Sequence, residues 1–332
     1  MKRHVGALKA LCFILAVASA AYPVVAQAQR QVDPAVAEVG TGFTSATVGT
    51  NGTTLHYVRG GSGPPLVLLH GFPQSWYEFR KIMPRLAKSF TVVAVDLRGV
   101  GNSAVASEGF DIATMAADVQ GLIKELKLEN PYIVGHDIGG NVAYALARLD
   151  PETTRGAMII DVPLFGLDPW DDVKRDPTLW HISFLATSRV PEILIPGREA
   201  AYFRAAFFNL GTRDPRAISD ADLTQFAKAY STADQLRAGL GFYRAIPANE
   251  KFNASQTSPI AVPFVLVAGE SSFAPLLDRI AAAIKAHGAA NVTTEVVAGG
   301  AHYLPDEQPD AITALIERHA RDGAPTGALP GR

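Results

Sequence analysis

Gly135-His136-Asp137-Ile138-Gly139 puts an aspartate where a Gly-x-nucleophile-x-Gly turn would carry its reactive group. Flanking glycines permit a sharp strand-to-helix turn that lifts the central side chain clear of the sheet. A helix starting behind it favours an anion and offers a backbone N–H to a developing oxyanion. A glycine-flanked βα turn can also do nothing more than reverse the chain, so the pentapeptide needs support from elsewhere. Two distant segments supply it. His70-Gly71-Phe72-Pro73 ends an earlier apolar run, where the Phe72 N–H can join that of Ile138 as an oxyanion donor. His302, in Gly299-Gly300-Ala301-His302-Tyr303, follows the last apolar run. A general base occupies that place when nucleophile, acid and histidine follow one another along the chain.

Two acids compete to orient His302. Asp161 ends the apolar run 157–161, well placed to hold an imidazole tautomer and stabilise its protonated form. Glu270 follows the later run 262–268, the commoner place for such an acid, but the segment Gly269-Glu270-Ser271-Ser272-Phe273 has no aspartate there. Asp161 is preferred, with Glu270 as the alternative.

The elements that must position these residues follow from periodicity. Two β-rich runs, 44–48 and 54–58, flank Asn51-Gly52, a hairpin signal. Continuous apolar runs at 65–70, 90–96, 132–137, 157–161, 262–268 and 292–297 read as strands. Helical spacing is found over 75–88, 111–126, 139–149, 275–287 and from 309 to about 320. Short apolar strands alternating with helices predict an α/β fold with a mostly parallel sheet. Residues 162–261 break that alternation and read as an inserted helical cap, with helices at 198–210, 220–230 and 233–246. The expected organisation is a leader over 1–28, a core over 29–161 and 262–321 divided by the cap, and a flexible tail over 322–332.

The leader has Lys2, Arg3 and Lys9, an apolar run over 10–17, and Ala26-Gln27-Ala28. That order predicts a secretory signal cleaved near Ala28 and a secreted or periplasmic product; the run is too short for a stable membrane span. The sole cysteine, Cys12, lies within it, so the processed chain would have neither disulfide nor thiol catalysis. Without the leader, 27 basic residues face 32 acidic ones, a net charge near −5 that argues against a nucleic-acid surface. His56, His287 and His319 show no spacing that would assemble a metal site, and no metal or organic cofactor is expected.

Taken together, HGFP (70–73), DLRGVGNS (96–103), GHDIGG (135–140), the helical insertion and GGAHYLP (299–305) resemble the epoxide hydrolase and dehalogenase branch of the α/β-hydrolases, over about residues 44–320. The resemblance implies an α/β-hydrolase fold, an alkyl-ester intermediate on Asp137 and its hydrolysis by His302-activated water. Asp96 and Arg98 fall in a segment that is usually structural there. Fluoroacetate dehalogenases resemble GHDRGGR, with arginines that grip a carboxylate; here Ile138 and Asn141 stand at those positions. Haloalkane dehalogenases commonly have a tryptophan after the aspartate and an asparagine after His-Gly, where this chain has Ile138 and Phe72. Many epoxide hydrolases use two cap tyrosines on the departing oxygen. Phe242-Tyr243-Arg244 matches the second, and Trp180-His181-Ile182-Ser183-Phe184 matches the first with histidine in place of tyrosine.

A His181/Tyr243 pair resembles the secreted subfamily typified by the cystic-fibrosis-channel inhibitory factor, Cif, in which glutamate rather than Asp161 is expected. The subfamily resemblance implies a homodimer. Phe72, Trp180 and Phe184 suggest an apolar pocket, and thus a small apolar epoxide and water as reactants. The competing readings are a haloalkane dehalogenase and a secreted effector on a hydrolase scaffold. Aspartate suits attack on a saturated carbon for a chemical reason. Serine would leave an ether, which water does not readily cleave, whereas carboxylate leaves an ester. Aspartate is also ionised at neutral pH, which leaves His302 free for the second step.

Overall fold

The computed structural model describes residues 29–30 and 33–322. The expected leader and most of the expected tail lie outside the described residues. Among the described residues, nine strands form one sheet in the order β1-β2-β3-β5-β4-β6-β7-β8-β9. They are β1 (Gln29–Arg30), β2 (Phe43–Thr50), β3 (Thr53–Gly60), β4 (Pro65–Leu69), β5 (Thr91–Val95), β6 (Tyr132–His136), β7 (Gly156–Ile160), β8 (Phe264–Gly269) and β9 (Val292–Val297). The first is a two-residue edge.

β2 and β3 form an antiparallel hairpin with Thr50 opposite Thr53, so Asn51-Gly52 is a two-residue turn. Both turn residues have positive φ, 41° and 72°, as a turn matching the strand twist requires. β3 pairs antiparallel with β5, and beyond that pair all pairings are parallel. The central strands β5, β6, β7 and β8 are buried along their whole length, which is why they read as unbroken apolar runs. Each fully buried Val, Leu or Ile contributes about 1.5–3 kcal/mol of apolar transfer energy, offset by ordering costs.

Strand order sets the positions that matter. β4 lies beside β6, with Leu69 opposite Gly135, so the residues after both strands emerge together. On the other side of β6, His136 pairs with Ile160 of β7, which delivers Asp161 one residue later. β8 and β9 continue the same edge, with Gly269 opposite Val297. The carboxyl ends of a parallel sheet are where α/β proteins place their sites.

Between β7 and β8 the described chain is helix and loop. Its longer helices are Asp220–Lys228 and Ala233–Arg244, each opened by a reciprocal capping box, and Ile246–Ser255. The expected helix over 198–210 is real but irregular: Glu199–Phe203 runs through a π turn, Arg204–Phe208, into Asn209–Gly211. Short helices at Trp170–Val173, His181–Ala186 and Val190–Leu194 had no recognisable period in the sequence. The stretch expected as a helix over 75–88 is a 3-10 helix, Trp76–Lys81, followed by the short helix Met83–Leu86 with proline in its first turn. Among the described residues, no helix is long and apolar enough to cross a membrane.

Candidate active site

Asp137 caps the helix Ile138–Leu149 with φ 52° and ψ −120°. For a non-glycine residue this left-handed backbone costs on the order of 1–3 kcal/mol and persists only where its surroundings enforce it. The enforcement is visible. The Asp137 N–H donates to the Ile160 carbonyl at 3.1 Å, and its own carbonyl accepts from the Gly140 N–H at 2.9 Å. A Cβ on Gly139 would collide with the Leu69 carbonyl, and one on Gly135 with the Gly139 carbonyl. Both flanking glycines are therefore dictated by close backbone approach.

The carboxylate is held at one oxygen. Oδ1 accepts the Phe72 N–H at 3.0 Å, while Oδ2 lies 3.8 Å from His302 Nε2, beyond hydrogen bonding. Ile138 opens the helix, so its N–H has no partner within that helix and sits next to the same carboxylate. His70 shapes the loop that carries Phe72. Its Nε2 accepts the Leu97 N–H at 3.1 Å and its Nδ1 meets the Gly71 carbonyl at 2.9 Å. These partners require one acceptor and one donor nitrogen, and burial lowers the His70 pKa in the same sense.

His302 is fixed at three points. Its Nδ1 is 2.7 Å from Asp161 Oδ2, its N–H donates to the Gly211 carbonyl at 2.8 Å, and its carbonyl faces His136 Nε2 at 2.9 Å. Asp161 itself is buried and accepts the Gly269 N–H at 2.8 Å and the Ser272 hydroxyl at 2.7 Å. Its φ of 51° turns this short acid toward His302. Glu270 is elsewhere: half exposed, it pairs with Arg213 at 3.0 Å and accepts the Gly299 N–H at 3.0 Å.

A cavity of about 570 Å³ opens over Asp137 and His302, and His181 and Tyr243 both line it. Their ring centroids are 6.3 Å apart. Burial pulls the His181 pKa down to about 4, with Asp137 raising and His302 lowering it. At neutral pH its imidazole is uncharged, and its buried Nδ1 has no hydrogen-bond partner among the described residues. Burial, followed by the charge of Asp137, holds the Tyr243 hydroxyl well above its ordinary pKa. Both side chains can thus present neutral N–H or O–H donors to a ligand.

Phe72 and Trp180 line the cavity, Trp180 at its exposed lip. Phe184 does not, contrary to the expectation from sequence. Its ring packs on Trp180 at 5.7 Å and on Tyr202 at 5.9 Å, while Phe207 takes the place beside His181 at 4.8 Å. Phe165, Trp170 and Phe273 are further walls that sequence reasoning did not find, and among the described residues no lysine or arginine lines the cavity. Asn141, at the position where a fluoroacetate dehalogenase would have arginine, is buried. It bonds the Pro163 carbonyl at 3.2 Å and the Phe165 N–H at 3.1 Å, which ties the helix to the start of the insertion. Asp96 and Arg98 are outside the cavity; Asp96 bonds His56 Nδ1 and the Trp76 N–H, and Arg98 pairs with Asp118.

Comparison with known proteins places this geometry in context. The family model described as alpha/beta hydrolase fold matches residues 64–309. A soluble epoxide hydrolase of Corynebacterium sp. strain C12 is 34% identical over 275 residues, covering 80% of this chain and 93% of that protein. A fluoroacetate dehalogenase of Burkholderia sp. is 26% identical over 292 residues, covering 85% of this chain and 95% of that one. The crystal structure of wild-type Cfl2 from Burkholderia cenocepacia superposes with a TM-score of 0.76 at 31% identity, covering 88% of this chain and 99% of that one.

Proposed function

The chain belongs to the alpha/beta hydrolase family, with epoxide hydrolases among its homologues, and we propose that it is itself an epoxide hydrolase of the secreted Cif-like kind. The observation that carries this reading is the His181/Tyr243 pair of neutral donors lining the same cavity as Asp137 and His302. Asp137 Oδ2 attacks an epoxide carbon in line, the ring C–O bond breaks, and the departing alkoxide is met by His181 and Tyr243. Asp137 Oδ1, now an ester carbonyl, remains with the Phe72 N–H, and the free N–H of Ile138 is the second donor offered to it.

In the second step His302 Nε2 removes a proton from water as the hydroxide adds to Cγ of Asp137. Asp161 orients the imidazole and stabilises its charged form. The tetrahedral oxyanion on Oδ1 collapses, the Cγ–Oδ2 bond breaks, and His302 returns its proton to the leaving diol oxygen. The second water proton, left on the Asp137 carboxyl, passes to the alkoxide oxygen held by His181 and Tyr243, so water has supplied both diol hydrogens and its oxygen remains in Asp137. Apolar walls without a cation favour a neutral, apolar epoxide over a carboxylate-bearing one. The expected leader assigns this chemistry to a secreted or periplasmic protein.

The fluoroacetate dehalogenase relative makes halide displacement the competing reaction, but Ile138 and Asn141 stand where carboxylate-gripping arginines would be required. Exposure of a His302→Ala variant to epoxides and to haloalkanes, followed by intact-protein mass measurement, separates the readings. A hydroxyalkyl adduct on Asp137 supports the epoxide hydrolase. Adducts from haloalkanes alone would replace it with a dehalogenase, and no adduct from either class would favour a binding role for the scaffold.

A further inference from the structure

Beneath the nucleophile lies a buried charged pair that the two-step chemistry does not use. Glu78 and His136 side chains are both fully buried, with His136 Nδ1 2.9 Å from Glu78 Oε1. On its far side His136 Nε2 faces the His302 carbonyl at 2.9 Å. A carbonyl only accepts, so Nε2 must carry hydrogen. The Nδ1–Oε1 contact lacks hydrogen-bond geometry, so it is the carboxylate's charge at 2.9 Å that favours a second hydrogen on Nδ1, giving imidazolium against carboxylate. The other Glu78 oxygen, Oε2, accepts the Gly71 N–H at 3.1 Å, one residue before the N–H that holds Asp137 Oδ1.

We propose that Glu78 and His136 are positioning residues for the hydrolytic step, holding the backbone of His302 in register with the Phe72 loop so that Nε2 is aimed at the Asp137 ester. This rests on the two-step reading above. Neither side chain lines the cavity, so neither meets substrate. Their link is a continuous one: the loop after β4 binds Glu78, Glu78 binds His136, and His136 binds His302. The His136 and His302 rings are 4.7 Å apart, so a shift of one is felt by the other. The charge assignment has electrostatic support as well. Burial opposes the His136 cation, yet the Glu78 carboxylate, with Asp137 and Asp161 adding to it, pushes its pKa up to about 9.

The two chemical steps separate this role from general structural support. Alkylation uses Asp137, His181 and Tyr243; only hydrolysis needs the aim of His302 Nε2. A base displaced by about 1 Å loses on the order of 10²-fold in rate. The experiment measures both steps for the full chain with styrene oxide as probe, by rapid quench and intact-protein mass. The variants are Glu78→Gln, His136→Leu, His136→Gln and the double variant Glu78→Gln/His136→Gln, which leaves no unpaired buried charge. Thermal unfolding is recorded for each.

His136→Leu is expected to slow hydrolysis by about 10²-fold with alkylation within about threefold, so that the ester accumulates. His136→Gln is expected to recover much of that loss, because its Nε2 can still donate to the His302 carbonyl. Should His136→Leu fail to fold, Glu78→Gln carries the same split, with the double variant as the control that leaves no unpaired buried charge. Equal slowing of both steps, in proportion to lost thermal stability, overturns the positioning role alone. A parent chain that opens no epoxide overturns this role together with the reading it rests on.

Discussion

Replacement of Asp161 by asparagine tests the hydrolytic half of the mechanism where the structure makes the sharpest demand. Three donors converge on this carboxylate: the Gly269 N–H on Oδ1, and the Ser272 hydroxyl and His302 Nδ1 on Oδ2. Asparagine offers one acceptor oxygen and one NH2. With the NH2 toward Gly269, two N–H donors face each other at about the 2.8 Å that the parent bond spans. With the NH2 toward His302, Nδ1 must become the acceptor, which moves the imidazole proton to Nε2 and removes the free base. The second arrangement keeps more hydrogen bonds and should prevail. A wrong tautomer slows a histidine base on the order of 10³–10⁴-fold, equivalent to about 4–5 kcal/mol in activation free energy. Alkylation, which does not use His302, should stay within about threefold, since only the supporting bonds change. The assay is rapid-quench intact mass with an apolar epoxide, in which Asp161→Asn should accumulate the Asp137 ester. Glu270→Gln should behave like the parent to within about twofold, because an exposed pair with Arg213 contributes little. Slowing of both steps alike by Asp161→Asn, or a hydrolytic defect in Glu270→Gln instead, would refute the assignment.

The donor pair should show the opposite split. His181→Leu and Tyr243→Phe should each slow alkylation by about 10²-fold while the ester, once formed, hydrolyses at near the parent rate, as single-turnover kinetics would report. With its pKa pulled to about 4, His181 should show no ring titration by NMR between pH 6 and 9. His136 should make stability pH-dependent in a defined direction. Its folded pKa, about 9, exceeds the 6.5 of an ordinary histidine, so its contribution is present below pH 6.5 and lost as pH rises through 9. Urea unfolding across that window should show the decline in the parent and a flatter profile in His136→Gln.

Much of the site was legible in the chain because local chemistry and strand order coincide. The elbow glycines, the HGFP loop and His302 each follow an apolar run, and parallel pairing of β4, β6 and β7 brings those run ends together. Asp161 was legible as the end of β7; its positive φ, which suits a short acid to this position, has no signature in residue type. The cavity walls were harder. Phe165, Trp170 and Phe207 lie in loops, a four-residue helix and a π turn, where no period tells which face is inward. Phe184 was misjudged for the same reason, since neighbours distant in sequence, Tyr202 and Phe207, decide which ring meets the cavity. His136 reads as the variable residue of the elbow motif, and nothing in the run 75–88 singles out Glu78. Only the tertiary fold shows both side chains fully buried against each other.

The mechanism turns on whether Asp137 forms a bond to the substrate carbon. A single turnover in H2-18O, with the parent protein in excess over an apolar epoxide, tests this directly. The diol of that first turnover should carry no 18O, and the peptide containing Asp137 should gain one 18O atom. Incorporation of 18O into the first-turnover diol, with Asp137 unlabelled, would mean that water attacks the epoxide itself and would contradict the mechanism.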